Sequence, residues 1–194
     1  MEKNKLSVWQ SACIITGYGV GGGIIIDNQV YSGFNFAGAE LGHIVISVDG
    51  RPCNCGRRGC WESYASVSGL IKLTKQEMLA DKTSLMWELV DGDIEKVNGL
   101  TSFNAMRKND PAGMFVVRSY LKSVAVGIVD VINILQPEVL CIGGGISKEG
   151  DYLLLPIKEM VRNELFTRKS DACTDIRIAK LGNDAGIIGA ALLG

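Results

Sequence analysis

At 194 residues the chain is long enough for one large domain or two small ones, with a substantial buried core. Its 20 basic and 21 acidic side chains leave a net charge of −1, so no basic face of the kind that tracks a phosphate backbone is evident at this level. No run approaches the ~20 apolar residues of a membrane helix. The opening Met1-Glu2-Lys3-Asn4-Lys5 leads into no signal-peptide core, so the six cysteines are expected reduced and the protein cytoplasmic.

A polar lead-in over residues 1–11 gives way to Ala12-Cys13-Ile14-Ile15-Thr16, an apolar run that predicts a buried strand. Glycines follow at positions 17, 19, 21, 22 and 23. Gly17, Gly19 and Gly22 make a formal G-x-G-x-x-G match, but a dinucleotide site would need a helix to begin there. Ile24-Ile25-Ile26, Asp27-Asn28 and Gln29-Val30-Tyr31 follow instead, and β-branched residues around an Asx turn predict a hairpin. Such a turn lets backbone N–H groups approach a phosphate closely. A glycine-rich hairpin without a ligand is the competing reading.

Ser32 to Gly38 reads as a loop leading to Glu40-Leu41-Gly42-His43, which holds the only histidine of the chain. Cys53-Asn54-Cys55-Gly56-Arg57-Arg58-Gly59-Cys60-Trp61-Glu62 follows, and it contains half of the cysteines. Three thiolates and one imidazole are the donor set of a closed tetrahedral zinc site, and Gly56 and Gly59 let the loop fold back to aim the sulfurs inward. With no position left for a reactive water, the metal is read as structural. A disulfide cluster or ordinary buried thiols are the other readings, and the spacing and absence of a secretion signal favour zinc.

Apolar positions then predict a helix from Ser63 to about Ala80 and another over Leu85–Val90, capped by Thr83 or Ser84. A third starts near Thr101 and stops before Asn109. Asp110 and Pro111 begin a long helix with Met114, Val117, Leu121, Val124, Ile128, Val131 and Leu135 on one stripe, read as core. Val139-Leu140-Cys141-Ile142 predicts a buried strand running into Gly143-Gly144-Gly145, a turn that admits close backbone contact with a ligand or is simply tight. A helix from Tyr152 to Phe166 with Pro156 in its first turn, a strand Ile176–Ala179 and a helix Gly186–Leu193 capped by Asn183-Asp184 complete the chain.

The hairpin glycines, Glu40-x-Gly42-His43 and the Cys53–Glu62 pattern together resemble the ROK family of bacterial sugar kinases and sugar-responsive repressors. The resemblance runs from about Ala12 to the C-terminus and takes in Gly143–Gly145 and Gly182-Asn183-Asp184-Ala185-Gly186. It implies an α/β fold, the C-terminal lobe of a ribonuclease-H-like, actin-like ATPase with an inserted zinc loop, over residues 12–194. It also implies that Asn35, Glu40, His43 and Glu62 bind a hexose or N-acetylhexosamine, and that His43, Cys53, Cys55 and Cys60 hold Zn2+. His43 would serve both, one ring nitrogen on metal and the other donating to sugar. Gly17, Gly19, Gly21 and Gly22 would face ATP phosphates and Gly143, Gly144 and Gly145 the adenosine, with Mg2+ in the intact kinase. Neither the aspartate–glycine-rich phosphate loop nor the catalytic Asn-Asp pair of the family's pattern appears before Ala12, and Gly17-Tyr18-Gly19 stands where the family has Gly-Thr-Gly.

The expectation is therefore the sugar and zinc lobe of a glucokinase-like protein, inactive by itself and prone to form homo-oligomers. The alternatives are the effector domain of a ROK repressor, which would bind DNA only through an upstream winged helix, and a non-catalytic dimerisation remnant.

Overall fold

A computed structural model describes residues 10–181. The Gly186–Leu193 helix, its cap, the Gly182–Gly186 stretch and most of the polar lead-in lie outside the described residues.

Strand β1 (Gln10–Thr16) turns back into β2 (Val20–Ile26), which meets the two-residue β3 (Gln29–Val30) across a tight turn. In that turn Ile26 pairs with Gln29, and Asp27 and Asn28 have φ of 52° and 62°. This is the doubly left-handed geometry that Asp and Asn tolerate best among non-glycines. β1 starts two residues earlier than the apolar run, because Gln10 and Ser11 still find ladder partners in Ile26 and Ile25. On its other side β1 pairs parallel with β4 (Val139–Gly143), which pairs parallel with β5 (Asp175–Ile178). The resulting order is β3-β2-β1-β4-β5.

Register decides the core. Ala12, Ile14, Ile24, Leu140, Ile142 and Ile176 share one face and are all buried. Two long helices, α4 (Pro111–Leu135) and α5 (Asp151–Glu164), belong to the same core cluster. Along α4 the predicted stripe is buried from Val117 to Val131, while Met114 is 42% exposed. Val116, Tyr120, Gly127 and Ile132 are buried as well, so α4 is enclosed over much more than one stripe.

The segment predicted as one helix from Ser63 to Ala80 is two, α1 (Glu62–Ala65) and α2 (Val67–Ala80). Ser66 adopts extended backbone and its hydroxyl accepts from the Gly69 N–H at 3.0 Å, ending one helix and capping the next. Leu85–Val90 forms only a 3-10 turn at Glu88–Val90, because Asp91 and Gly92 both go left-handed and Asp110 takes the Leu85 N–H at 3.0 Å. α3 (Thr101–Arg107) and the Asp110 cap lie as expected, the Asp110 carboxylate accepting from Gly113 N–H at 2.8 Å. Pro156 is the sixth residue of α5, past its first turn, which leaves the Tyr152 carbonyl without its helical donor.

Candidate functional site at the strand ends and the cysteine loop

The turn Gly17–Gly19 and the turn after β4 meet at the carboxyl ends of two parallel strands, since Ile15 pairs with Gly143. There Gly144 has φ of 89° and a side chain on it would run into the Thr16 carbonyl, so glycine is required. Gly145 opens a 3-10 turn to Glu149, and Ser147 closes it by donating to Gly144 O at 2.7 Å. The glycine loop expected over Gly17–Gly23 is shorter than that. Gly21 and Gly22 are ladder residues of β2, with Gly22 packed against Leu41 and the Ala39 carbonyl, so only Gly17 and Gly19 stand in the turn. Tyr18 between them is 93% exposed and projects into solvent.

His43 ends a 3-10 turn, Leu41–His43, that is pressed on the hairpin where Gly42 abuts the Val20 carbonyl. Beyond it the chain doubles back: Ile46 N–H bonds Gly59 O at 2.9 Å and Trp61 N–H bonds Ile44 O at 2.8 Å, which brings Cys60 beside His43. Gly56 and Gly59 have φ of 87° and 77°, the left-handed turns that close the loop. His43 Nδ1 lies 3.7 Å from Cys53 Sγ, and Cys55 Sγ lies 3.6 Å from Cys60 Sγ. The four donor atoms are all within 4.8 Å of one another.

This donor set fits zinc. A tetrahedron with Zn–N of ~2.0 Å and Zn–S of ~2.3 Å has edges of about 3.5–3.8 Å, and none of the six cysteines is in a disulfide. The Cys55 thiol is held below its ordinary pKa, first by the Arg57 backbone N–H, whereas burial pushes Cys60 up to about 12. Cys53 Sγ also lies 3.8 Å from Glu62 Oε1, two acidic groups that a cation between the sulfurs would reconcile.

Glu62 is fixed from two sides. Its Oε2 accepts the Val20 N–H at 3.0 Å, and any side chain at Gly19 would collide with it. The adjacent Trp61, fully buried, donates Nε1–H to the Ser123 carbonyl of α4 at 2.8 Å and rests on Gly127. Glu40 Oε2 lies 3.9 Å from His43 Nε2, the ring nitrogen turned away from the cysteines. The structure thus gathers Glu40, His43, Glu62 and the three loop cysteines. Asn35 stands apart: it is exposed in the Ser32–Gly38 loop, and its Oδ1 accepts from Ala37 N–H at 3.3 Å. Trp61, Gly127 and the Val20 N–H have no motif of their own, so residue patterns alone did not reveal them.

Two carboxylates and an imidazole thus stand beside glycine turns at the carboxyl ends of parallel strands in an α/β protein. The ROK family model matches residues 2–194, and the chain belongs to the ROK family. A glucokinase of Streptomyces coelicolor is 36% identical over 181 residues, 92% of this chain and 57% of the relative. A ROK family glucokinase from Streptomyces griseus, solved with glucose and AMPPNP, superposes with a TM-score of 0.89 at 34% identity, covering 97% of this chain and 61% of that one. A ROK family transcriptional regulator, homologous to E. coli Mlc, superposes at 0.80 with 27% identity, covering 96% of this chain and 46% of its own. The chain spans a little over half the length of the curated glucokinase it matches.

Proposed function

We propose that this chain is the sugar-recognising, zinc-bearing lobe of a glucokinase-like ROK protein, which in its intact form transfers a phosphoryl group from ATP to a hexose. The strand order, with β2 antiparallel to β1 and β4 and β5 parallel to it, supports reading this lobe as the C-terminal half of a ribonuclease-H-like, actin-like ATPase. The observation that carries the sugar site is Glu62, held by Val20 N–H and Cys53 on the same loop that approaches His43. Zinc on His43 Nδ1 would leave Nε2 protonated, so His43 donates to a hydroxyl while Glu40 and Glu62 accept. Asn35 reaches the sugar only if its loop turns inward. Gly17, Gly19 and Gly143–Gly145 offer backbone to the nucleotide, and Gly21 and Gly22 support the turn from within β2. The glucokinase solved with glucose and AMPPNP supports both ligand classes.

Sugar binding is tested by titrating the 194-residue chain with glucose, mannose and N-acetylated hexosamines. Glu62→Gln should abolish the binding response while zinc content stays unchanged; equal binding by that variant would remove Glu62 from the site. By itself this polypeptide is expected to release no ADP in a sugar-dependent manner. Glu40 and Glu62 are assigned to hydroxyls, Asp27 sits in the hairpin turn and Asp49 in a left-handed loop position, so none of these four carboxylates is placed as base. Turnover near ~1 s⁻¹ with ATP and magnesium would refute this. Adding a separately expressed N-terminal lobe of a related glucokinase should restore activity.

The likeness to the regulator favours a second reading, a sugar-sensing effector domain with no chemistry. It predicts sugar binding that stays catalytically silent when the kinase lobe is supplied.

A further inference from the structure

The turn between β1 and β2 has every one of its acceptors engaged. Gly17 N–H bonds Gly19 O at 2.9 Å and closes the turn on itself. Val67 N–H, at the start of α2, bonds Gly17 O at 2.8 Å. The next residue of α2, Ser68, donates its hydroxyl to Tyr18 O at 2.9 Å, across 50 residues of sequence. The first turn of one helix thus holds two carbonyls of the glycine turn. It can lend both donors because Ser66 caps α2 independently, its hydroxyl accepting the Gly69 N–H at 3.0 Å.

The donors of the turn are left over. Among the described residues, neither the Tyr18 N–H nor the Gly19 N–H bonds a protein acceptor, whereas the next one, Val20 N–H, is taken by Glu62 Oε2 at 3.0 Å. Peptide geometry ties these free donors to the held carbonyls. Gly17 O and the Tyr18 N–H lie in one planar trans peptide and point in opposite directions, as do Tyr18 O and the Gly19 N–H. Drawing both carbonyls toward α2 therefore aims both N–H groups away from it. Successive unspent N–H groups of this kind make an anion-binding concavity. The glycines at 17 and 19 let these peptides rotate with little steric resistance, so their direction depends on what holds the carbonyls.

We infer that Ser68, together with the Val67 N–H, is a positioning residue for a phosphate group at the Gly17–Gly19 turn. The inference rests on the reading of that turn as the phosphate side of the nucleotide site. Ser68 does not touch the ligand. It acts through the Tyr18 carbonyl, keeping the Gly19 N–H turned toward the anion. Without the hydroxyl the Tyr18–Gly19 peptide is free to rotate, and a rotated peptide presents a carbonyl oxygen where it had presented a donor. The Tyr18 side chain, 93% exposed, has no part in this, because what the turn offers is backbone.

Calorimetric titration of the 194-residue chain with magnesium ADP, inorganic tripolyphosphate, adenosine and glucose reads the outcome. Ser68→Ala, at an exposed position, should weaken magnesium ADP and tripolyphosphate about fivefold or more, the worth of one hydrogen bond, with adenosine, glucose and Tm unchanged. Ser68→Thr keeps the hydroxyl and should bind as the parent does. Val67→Pro removes the other donor at a first-turn position that accepts proline, after the extended Ser66, and should weaken the same two ligands with helix content retained. A parent chain that binds neither phosphate ligand removes the phosphate reading of the turn and this inference with it. If the parent binds them and Ser68→Ala binds them equally well, the inference alone falls. A loss shared equally by adenosine and glucose, or one that Ser68→Thr does not repair, makes Ser68 a merely structural residue and likewise overturns it.

Discussion

Replacing Gly127 by alanine tests how the cysteine loop is tied to the core. Gly127 is buried in the middle of α4, and a methyl group there would fall inside the indole of Trp61. Helix propensity alone makes the substitution stabilising by about 1 kcal/mol. Packing acts the other way, since overfilling a tight contact costs about 1–3 kcal/mol. Yielding by the ring adds to this, because the Nε1–H bond to Ser123 O, 2.8 Å long, is worth about 1 kcal/mol. Full expulsion of an indole that buries ~200 Å² sets a ceiling of about 5 kcal/mol at ~25 cal/mol per Å². The expected net loss is about 1–3 kcal/mol, or roughly 2–12 °C in Tm for a domain of this size. Because Trp61 stands between Cys60 and Glu62, zinc release to a chelator should also accelerate. Trp61→Leu in the Gly127→Ala background should recover part of the loss, and urea unfolding of the two single variants and the double variant measures that coupling. A Gly127→Ala protein as stable as the parent, with no coupling to position 61, would show that the ring does not depend on that glycine.

Asp110→Ala should cost about 2–4 kcal/mol in urea unfolding, because one buried carboxylate serves Gly113 N–H, Leu85 N–H and the Ser84 hydroxyl at 2.8–3.0 Å. Equal stability would mean that water replaces all three partners. Cys55→Ser should lower zinc from one equivalent per chain toward none and reduce Tm, as measured by elemental analysis and calorimetry. Unchanged zinc content with unchanged melting would dismiss the four-ligand assignment.

Local signals carried much of the fold. Asp27-Asn28 announced the hairpin because few residue pairs accept two successive positive φ values, and the structure shows both. Asp110-Pro111 announced α4 for a similarly local reason, a side-chain acceptor followed by a residue with no N–H to satisfy. The clustering of His43 with Cys53, Cys55 and Cys60 was legible from spacing, and the structure brings their donor atoms within 4.8 Å of one another. Where the prediction went astray, long-range contacts had decided the outcome. Ser66 breaks a helix that apolar periodicity ran straight through, at the point where the Val67 N–H bonds the Gly17 carbonyl at 2.8 Å, far away in sequence. Leu85–Val90 had helical apolar spacing, but Asp110, distant in sequence, took the N–H at its start.

The same limit applies to the candidate site. Glu62 could be nominated from its place just past Cys60, yet nothing in that motif says which way its carboxylate points. That is decided by Val20, whose N–H emerges from a hairpin strand 42 residues earlier, and by Gly19, whose missing side chain leaves room for Oε2. Gly19 therefore has two duties: it completes the glycine turn at the end of β1 and it admits the carboxylate of the cysteine loop. Glycine spacing reported only the first. A side chain at position 19 would push on Glu62, so a substitution in the glycine turn would also disturb the carboxylate of the cysteine loop. The two halves of the candidate site are joined through one backbone N–H and one absent Cβ, and neither can be read from the sequence as a pattern.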